Sequence, residues 1–276
     1  MATPPGHIKW LGLTTAKIAS SDGLPVDTWE LSYVDADEAA WSEWAAHFRR
    51  HYCDDALIDR MKAGTPFESS RRDYLVNLVF PDKSSRLGPA VRSGDFAEIL
   101  VSDLLEHHLA YWVPRTRFAA KQVRDESAKG VDVIGIRQMD ESVSSPNDEL
   151  ATAEVKAQMS GKKAKPRLQD AVKASERDEF RKAETLNAVK QRFIETGENE
   201  LAAKISRFQD PLGNPYVDVT IAAAVFCGSV FDATSIGATT DCATHRNRPG
   251  LKLLVVHAKD LMKIANKIYA RAADEA

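Results

Sequence analysis

Two apolar runs near the end of the chain constrain its fold more than any other feature. Val217-Asp218-Val219-Thr220-Ile221-Ala222-Ala223-Ala224-Val225-Phe226 and Leu251-Lys252-Leu253-Leu254-Val255-Val256-His257 are rich in apolar and β-branched side chains. They lack the strict alternation of a strand with one wet face. Such runs suit strands buried on both sides, which requires helices above and below the sheet. One of those helices is visible in the sequence: residues 260–269 carry Leu261, Ile264, Ala265 and Ile268 at helical spacing, an amphipathic pattern that would cover one sheet face. The expected class is α/β, a mixed sheet flanked by helices.

The chain is long enough to bury a sizeable core. Its 276 residues, 43% hydrophobic and 28% charged, fit one large domain or two small ones. A polar stretch punctuated by Pro81, Gly88 and Pro89 breaks the pattern. We place a boundary there, giving an N-terminal α/β extension over 1–88 and a second unit over 89–276. In the extension, residues 24–34 alternate like a strand. Asp35-Ala36-Asp37-Glu38 opens a helix with Trp41, Trp44, Ala45, Phe48 and Tyr52 near one face. That face reads either as core or as a docking surface for a partner subunit. Residues 74–80 read as a buried strand. From 93 to 111 the apolar positions Phe96, Ile99, Leu100, Leu104, Leu105 and Leu109 recur at helical spacing, which places Glu98 beside an apolar stripe and near the sheet.

One tripeptide carries the chemistry. In Glu154-Val155-Lys156, the only acid-x-Lys triplet in the chain, the acid and the lysine project to the same side of a strand, because strand side chains alternate. Asp132 precedes it in Lys129-Gly130-Val131-Asp132-Val133, and Glu98 in Gly94-Asp95-Phe96-Ala97-Glu98. Grouped carboxylates hold Mg²⁺ or Mn²⁺, hard cations that prefer oxygen ligands. Such a cation polarises a phosphate oxygen and activates water, while a lysine ammonium orients that water or offsets charge building on the phosphate. The bland reading is a solvated Glu–Lys pair worth less than ~1 kcal/mol. The order helix acid, strand acid, acid-x-Lys strand favours the site.

This arrangement resembles the PD-(D/E)xK nuclease superfamily, whose core runs helix with glutamate, strand with aspartate, strand with E-x-K, then helix and further strands. By that resemblance the sheet would be restriction-endonuclease-like. Glu98 would be the helix carboxylate, Asp132 the central metal ligand, Glu154 the second ligand, Lys156 the catalytic lysine, and the Val155 carbonyl would complete the metal shell. Val131 rather than proline precedes Asp132, a departure found in divergent members. Within the superfamily the run from Gly94 to Lys156 looks most like the HamA nuclease family of Hachiman anti-phage systems. That resemblance implies DNA as substrate, Mg²⁺ or Mn²⁺ as cofactor, and a HamB-like helicase as partner.

Electrostatics allow DNA but do not demand it. The formal net charge is −3, so DNA contact requires a local basic patch. Lys162, Lys163, Lys165 and Arg167 follow the E-x-K strand closely, with Lys129 ahead of it. These are the candidate DNA-binding residues, since lysine-rich loops grip phosphates without reading sequence. The basic stretch continues through Lys173, Arg177, Arg181, Lys182, Lys190 and Arg192, but Glu176, Asp178, Glu179 and Glu184 are interleaved, as on a solvated helix face of paired charges.

Several classes are set aside. No apolar run approaches the ~20 residues of a membrane span, and residues 1–6 do not open a secretion signal; the default location is cytoplasmic. Cys53, Cys227 and Cys242 are widely spaced and read as reduced thiols. Cys242-Ala243-Thr244-His245 is half of a zinc pattern without its second half. No GxxxxGK[ST] loop or GxGxxG occurs, so any ATP-driven step belongs to a partner. Beside the defence nuclease stand two alternatives: a catalytically degenerate subunit that regulates or binds DNA, and a site-specific restriction endonuclease or junction resolvase.

Overall fold

The computed structural model describes residues 4–276, apart from the side chain of Glu179; residues 1–3 lie outside the described part. The strands are β1 (Leu11–Leu13), β2 (Ile18–Ala19), β3 (Pro25–Leu31), β4 (Val133–Arg137), β5 (Glu149–Gln158), β6 (Val217–Cys227) and β7 (Leu251–Ala258). The helices are α1 (Glu38–Tyr52), α2 (Ile58–Lys62), α3 (Arg71–Tyr74), α4 (Gly88–His107), α5 (Arg167–Ser175), α6 (Asp178–Glu195), α7 (Asn199–Phe208), α8 (Ala233–Thr239) and α9 (Leu261–Asp274). All seven strands join one sheet in the order β1-β3-β7-β6-β5-β4, with β2 paired to β3.

The centre of that sheet is parallel. β5, β6, β7 and β3 run the same way, whereas β4 is antiparallel to β5 and β1 to β3. The sheet is therefore mixed, and it is flanked by helices as the apolar runs require. Ile221 to Phe226 and Leu253 to Val256 are all buried, so β6 and β7 are covered on both faces.

The N-terminal extension completes the same sheet. Val26 to Glu30 of β3 pair in parallel with Leu253 to His257 of β7. Asp37 caps α1 by accepting the Ala40 N–H at 3.2 Å. The aromatic face of α1 is core: Trp41, Trp44 and Phe48 are at most 1% exposed. Tyr52 Oη donates to Asp95 on α4 at 2.8 Å and lies 2.7 Å from Tyr269 Oη on α9, tying three helices together on one side of the sheet.

One expected element is different. Residues 74–80, which read as a buried strand, form the end of α3 and a π-helical turn over Leu75–Val79. Ser70 caps this helix by accepting the Asp73 N–H at 3.1 Å, and Val76 and Leu78 are exposed. A short apolar run cannot by itself distinguish strand from helix, and here a cap and the lack of a neighbouring strand decide it.

Candidate active site

Register brings the two strand acids together. Antiparallel pairing of β4 with β5 sets Val133 opposite Ala153, so one step further Asp132 stands opposite Glu154. Both acids share the sheet side of Ile134 and Leu150, which pack against Leu186 and Val189 of α6. The Val155 N–H donates to Asp132 Oδ2 at 2.9 Å. Glu154 is 4% exposed, and Lys156 Nζ pairs with its Oε1. The expectation that Glu154 and Lys156 face one way holds.

Gly130 makes the approach to Asp132 possible. Its φ is +91°, and a Cβ there would lie 2.5 Å from Thr185 Oγ1, so only glycine fits. The adjacent Val131 N–H donates to that hydroxyl at 3.0 Å. The turn before Asp132 is thus fastened to α6.

Glu98 arrives from the other side of the sheet. A Cβ on Gly135 would meet Leu105 of α4, and Gly135 faces away from the side of Ile134. Between Glu98 and Asp132 stands Arg117, whose Nε donates to Glu98 Oε2 at 2.8 Å and whose Nη2 donates to Asp132 Oδ1 at 2.9 Å. The guanidinium also donates to the carbonyls of Ala128, Lys129 and Val131. Burial, then the Asp132 charge, pushes the Glu98 carboxyl well above its usual range. Burial, then the Glu154 charge, raises Asp132. Neither effect lies in the spacing of the motif, and Arg117, inside an irregular stretch, carries no local sequence signal.

A fourth acid joins the site. Asp178, the first residue of α6 and in the sequence one of the acids interleaved among lysines and arginines, is fully buried rather than solvated. Its carboxyl is pushed up to about 7 by burial, then by the charges of Glu154 and Asp132. Arg181 Nη1 lies 3.6 Å from Asp178 Oδ1 and 3.8 Å from Glu154 Oε2. Glu154 Oε2 and both Asp178 carboxylate oxygens are buried without a hydrogen-bond partner among the described residues. Buried carboxylate oxygens without donors are what a divalent cation satisfies, so the donor set fits Mg²⁺ or Mn²⁺.

Basic side chains ring this chemistry. A cleft of about 530 Å³ is lined by Glu154 and Lys156 together with Arg167, Lys173, Arg177 and Arg181. Lys162, Lys163 and Lys165 are exposed on the loop that follows β5. That loop is held to the strand end by Gln158, which donates to the Lys163 carbonyl at 2.8 Å and accepts the Lys165 N–H at 2.9 Å. Arg167 pairs with Asp170 at 3.0 Å. Lys129 lines a separate cavity of about 550 Å³, which Asp132 and Arg117 also border.

A second polar cluster lies at the far part of α4. Among the described residues, one group of metal-ligating side chains has its ligand atoms all within 4.8 Å of one another: His47, His51 and Asp103. Neither Glu98 nor Asp178 forms such a group with Asp132 and Glu154 in this conformation. The i, i+4 spacing of His47 and His51 was its sequence signal, and it could hold a metal ion. Asp103 accepts from His47 at 2.7 Å and His7 at 2.9 Å, and Arg115 Nη2 lies 2.9 Å from Asp103. Arg115 also donates to His51. In this conformation a guanidinium balances the buried aspartate.

His245 Nε2 lies 3.1 Å from Ser175 Oγ, His257 stacks on Phe231 at 4.0 Å, and all three cysteines are free and buried. No helix of the described residues is long and apolar enough to cross a membrane.

Residues 6–272 of the chain match the family model described as HamA. No curated protein and no solved structure gives a significant match.

Proposed function

The chain belongs to the HamA family, whose model spans nearly all of it, and on that premise we propose that it is the metal-dependent DNA nuclease of a Hachiman-type anti-phage system. One observation carries this reading. Asp132, at the entry to β4, stands opposite Glu154 of the antiparallel neighbour β5, with Lys156 on the same side as Glu154 and a cleft of basic side chains in front of Glu154 and Lys156.

Asp132 and Glu154 hold the cation, Mg²⁺ or Mn²⁺, which supplies Lewis acidity at the scissile phosphate when bound. Lys156 orients the attacking water in line with the leaving 3′ oxygen and offsets the charge that builds on the phosphate. Arg167, Lys173 and the loop lysines Lys162, Lys163 and Lys165 grip the DNA backbone, which gives affinity with little sequence preference. Glu98 acts through Arg117 on the position of Asp132. The partner is a HamB-like helicase, and the reaction takes place in the cytoplasm.

Arg117 favours one variant of this reading. A guanidinium bonded to two of the acids keeps the site short of its full negative charge, as in a nuclease that is held back or in a subunit that regulates without cutting. Cleavage of linear and circular plasmid DNA with Mg²⁺, Mn²⁺ or EDTA separates these. Wild type, Glu154→Ala and Lys156→Ala are compared, each alone and with the helicase. Metal-dependent loss of DNA that vanishes in both variants supports the nuclease. Inactivity in every combination supports the regulatory subunit, and cuts at defined positions support a site-specific endonuclease.

A further inference from the structure

Asp178 is not accounted for by its place in the fold. An acid at the start of a helix ordinarily turns its carboxylate back to accept backbone N–H groups of the first turn. Asp178 does not. It follows the N-cap residue Arg177 as the first residue of α6, and both of its carboxylate oxygens lack a donor although the residue is fully buried. The nearest cation, Arg181, stays 3.6 Å away, beyond a good hydrogen bond.

The same guanidinium nitrogen lies 3.8 Å from Glu154 Oε2, the one oxygen of Glu154 that Lys156 does not satisfy. Two acids from different elements, β5 and α6, therefore turn donor-free oxygens toward the same positive group. Asp132 stands beside them, and its charge and that of Glu154 act on Asp178. Glu98, by contrast, has a strong bond to Arg117. A buried carboxylate without partners is retained at high cost, and the local chemistry that removes the cost is a cation shared with Glu154.

We propose that Asp178 is a ligand of the divalent cation held by Asp132 and Glu154, so that the metal set comes from two strands and the first turn of α6. The inference rests on the nuclease reading for the purpose of the metal. It replaces Glu98 with Asp178 as the third carboxylate. α6 also carries Arg181 and flanks the basic cleft, so the cation would fix the helix that faces the DNA.

Mn²⁺ binding to the full chain tests this, by electron paramagnetic resonance and calorimetry on wild type, Asp178→Asn, Glu98→Gln and Glu154→Gln. The expected result is one Mn²⁺ in wild type, a loss of affinity of at least tenfold in Asp178→Asn, a comparable or larger loss in Glu154→Gln, and a change within about threefold in Glu98→Gln. Thermal melting adds a readout independent of cleavage: in EDTA Asp178→Asn should melt no lower than wild type, and Mn²⁺ should raise the wild-type midpoint but not that of the variant. Wild-type affinity in Asp178→Asn with loss in Glu154→Gln would overturn the role of Asp178 and leave the nuclease site standing. Binding unaffected by Glu154→Gln, or no binding to wild type, would overturn both.

Discussion

Arg117 Nε lies 2.8 Å from Glu98 Oε2, joining α4 on one side of the sheet to the turn before β4 on the other. The contact is enclosed, with the two side chains 15% and 12% exposed. Because the same guanidinium reaches Asp132 and three carbonyls of residues 128–131, it fixes the approach to the site as well as its charge.

Removing Arg117 should therefore expose the electrostatic demand of the acids. In Arg117→Ala, Glu98 and Asp132 lose their common cation, and breaking such a buried pair costs about 3–5 kcal/mol. The stability in EDTA, read from denaturant unfolding, should fall by that order, and Mn²⁺ should recover more of it in the variant than it adds to wild type. Equal metal effects on the two proteins would refute the view that these carboxylates compete for positive charge.

Lys156 should separate chemistry from folding. It is about a third exposed and pairs with the buried Glu154, so Lys156→Gln keeps a hydrogen-bond donor toward that carboxylate and should leave the chain folded. Cleavage should fall by about 10²–10³-fold, the usual consequence of losing a group that stabilises transition-state charge. Single-turnover cleavage beside a melting curve measures both; retained cleavage would remove the lysine from the mechanism.

The histidine cluster predicts loss of stability in acid. Burial, then the Arg115 charge, holds His51 well below its ordinary value, and burial lowers His7. Burial alone would raise Asp103, but the charges of His47 and Arg115 and the hydrogen bonds from His47 and His7 hold it well below the carboxylate range. In each case the folded state binds fewer protons than the unfolded chain, so stability rises with pH. The histidine contribution is complete above pH 6.5, the ordinary histidine value, and is lost as pH falls below it. Asp103 adds a second loss below 3.8. Each histidine should contribute a slope of up to ~1.4 kcal/mol per pH unit. Unfolding free energies between pH 7.5 and 5 should show a smaller slope in His51→Gln; an unchanged slope would clear the cluster of this role.

What was legible in the sequence was whatever repeats locally. The burial of β6 and β7 follows from apolar runs, α9 and α1 from helical spacing and an Asp37 cap, and the shared side of Glu154 and Lys156 from strand alternation. The misread stretch, 74–80, is short enough for either period. Arg117, Asp178 and the joining of Asp103 to the His47–His51 pair were hidden for a different reason. Arg117 meets Glu98 and Asp132 from an irregular stretch, and Asp178 meets Glu154 only because α6 packs on β5. The identity of such partners is set by tertiary packing, which no window of neighbouring residues contains. For Asp178 the interleaved charges even pointed the wrong way, since its side chain is buried between the exposed Arg177 and Phe180.

The loop after β5 should reveal itself through salt. Lys162, Lys163 and Lys165 are exposed, and Gln158 pins their backbone to the strand that carries Glu154 and Lys156. Under the proposed function the lysines would touch phosphates near the scissile bond, without a rigid fork for reading bases. Each phosphate contact on duplex DNA contributes about 0.9 to the slope of log affinity against log salt concentration. Replacing all three lysines by alanine should lower the magnitude of that slope by about 2–3, equally on unrelated sequences. Mn²⁺ affinity should not change, because none of the three is among the metal-holding acids. Fluorescence anisotropy across a salt series, in EDTA so that no DNA is cut, measures the slope directly. A slope equal to that of wild type would move the DNA away from this loop and toward Arg167, Lys173, Arg177 and Arg181 in the cleft.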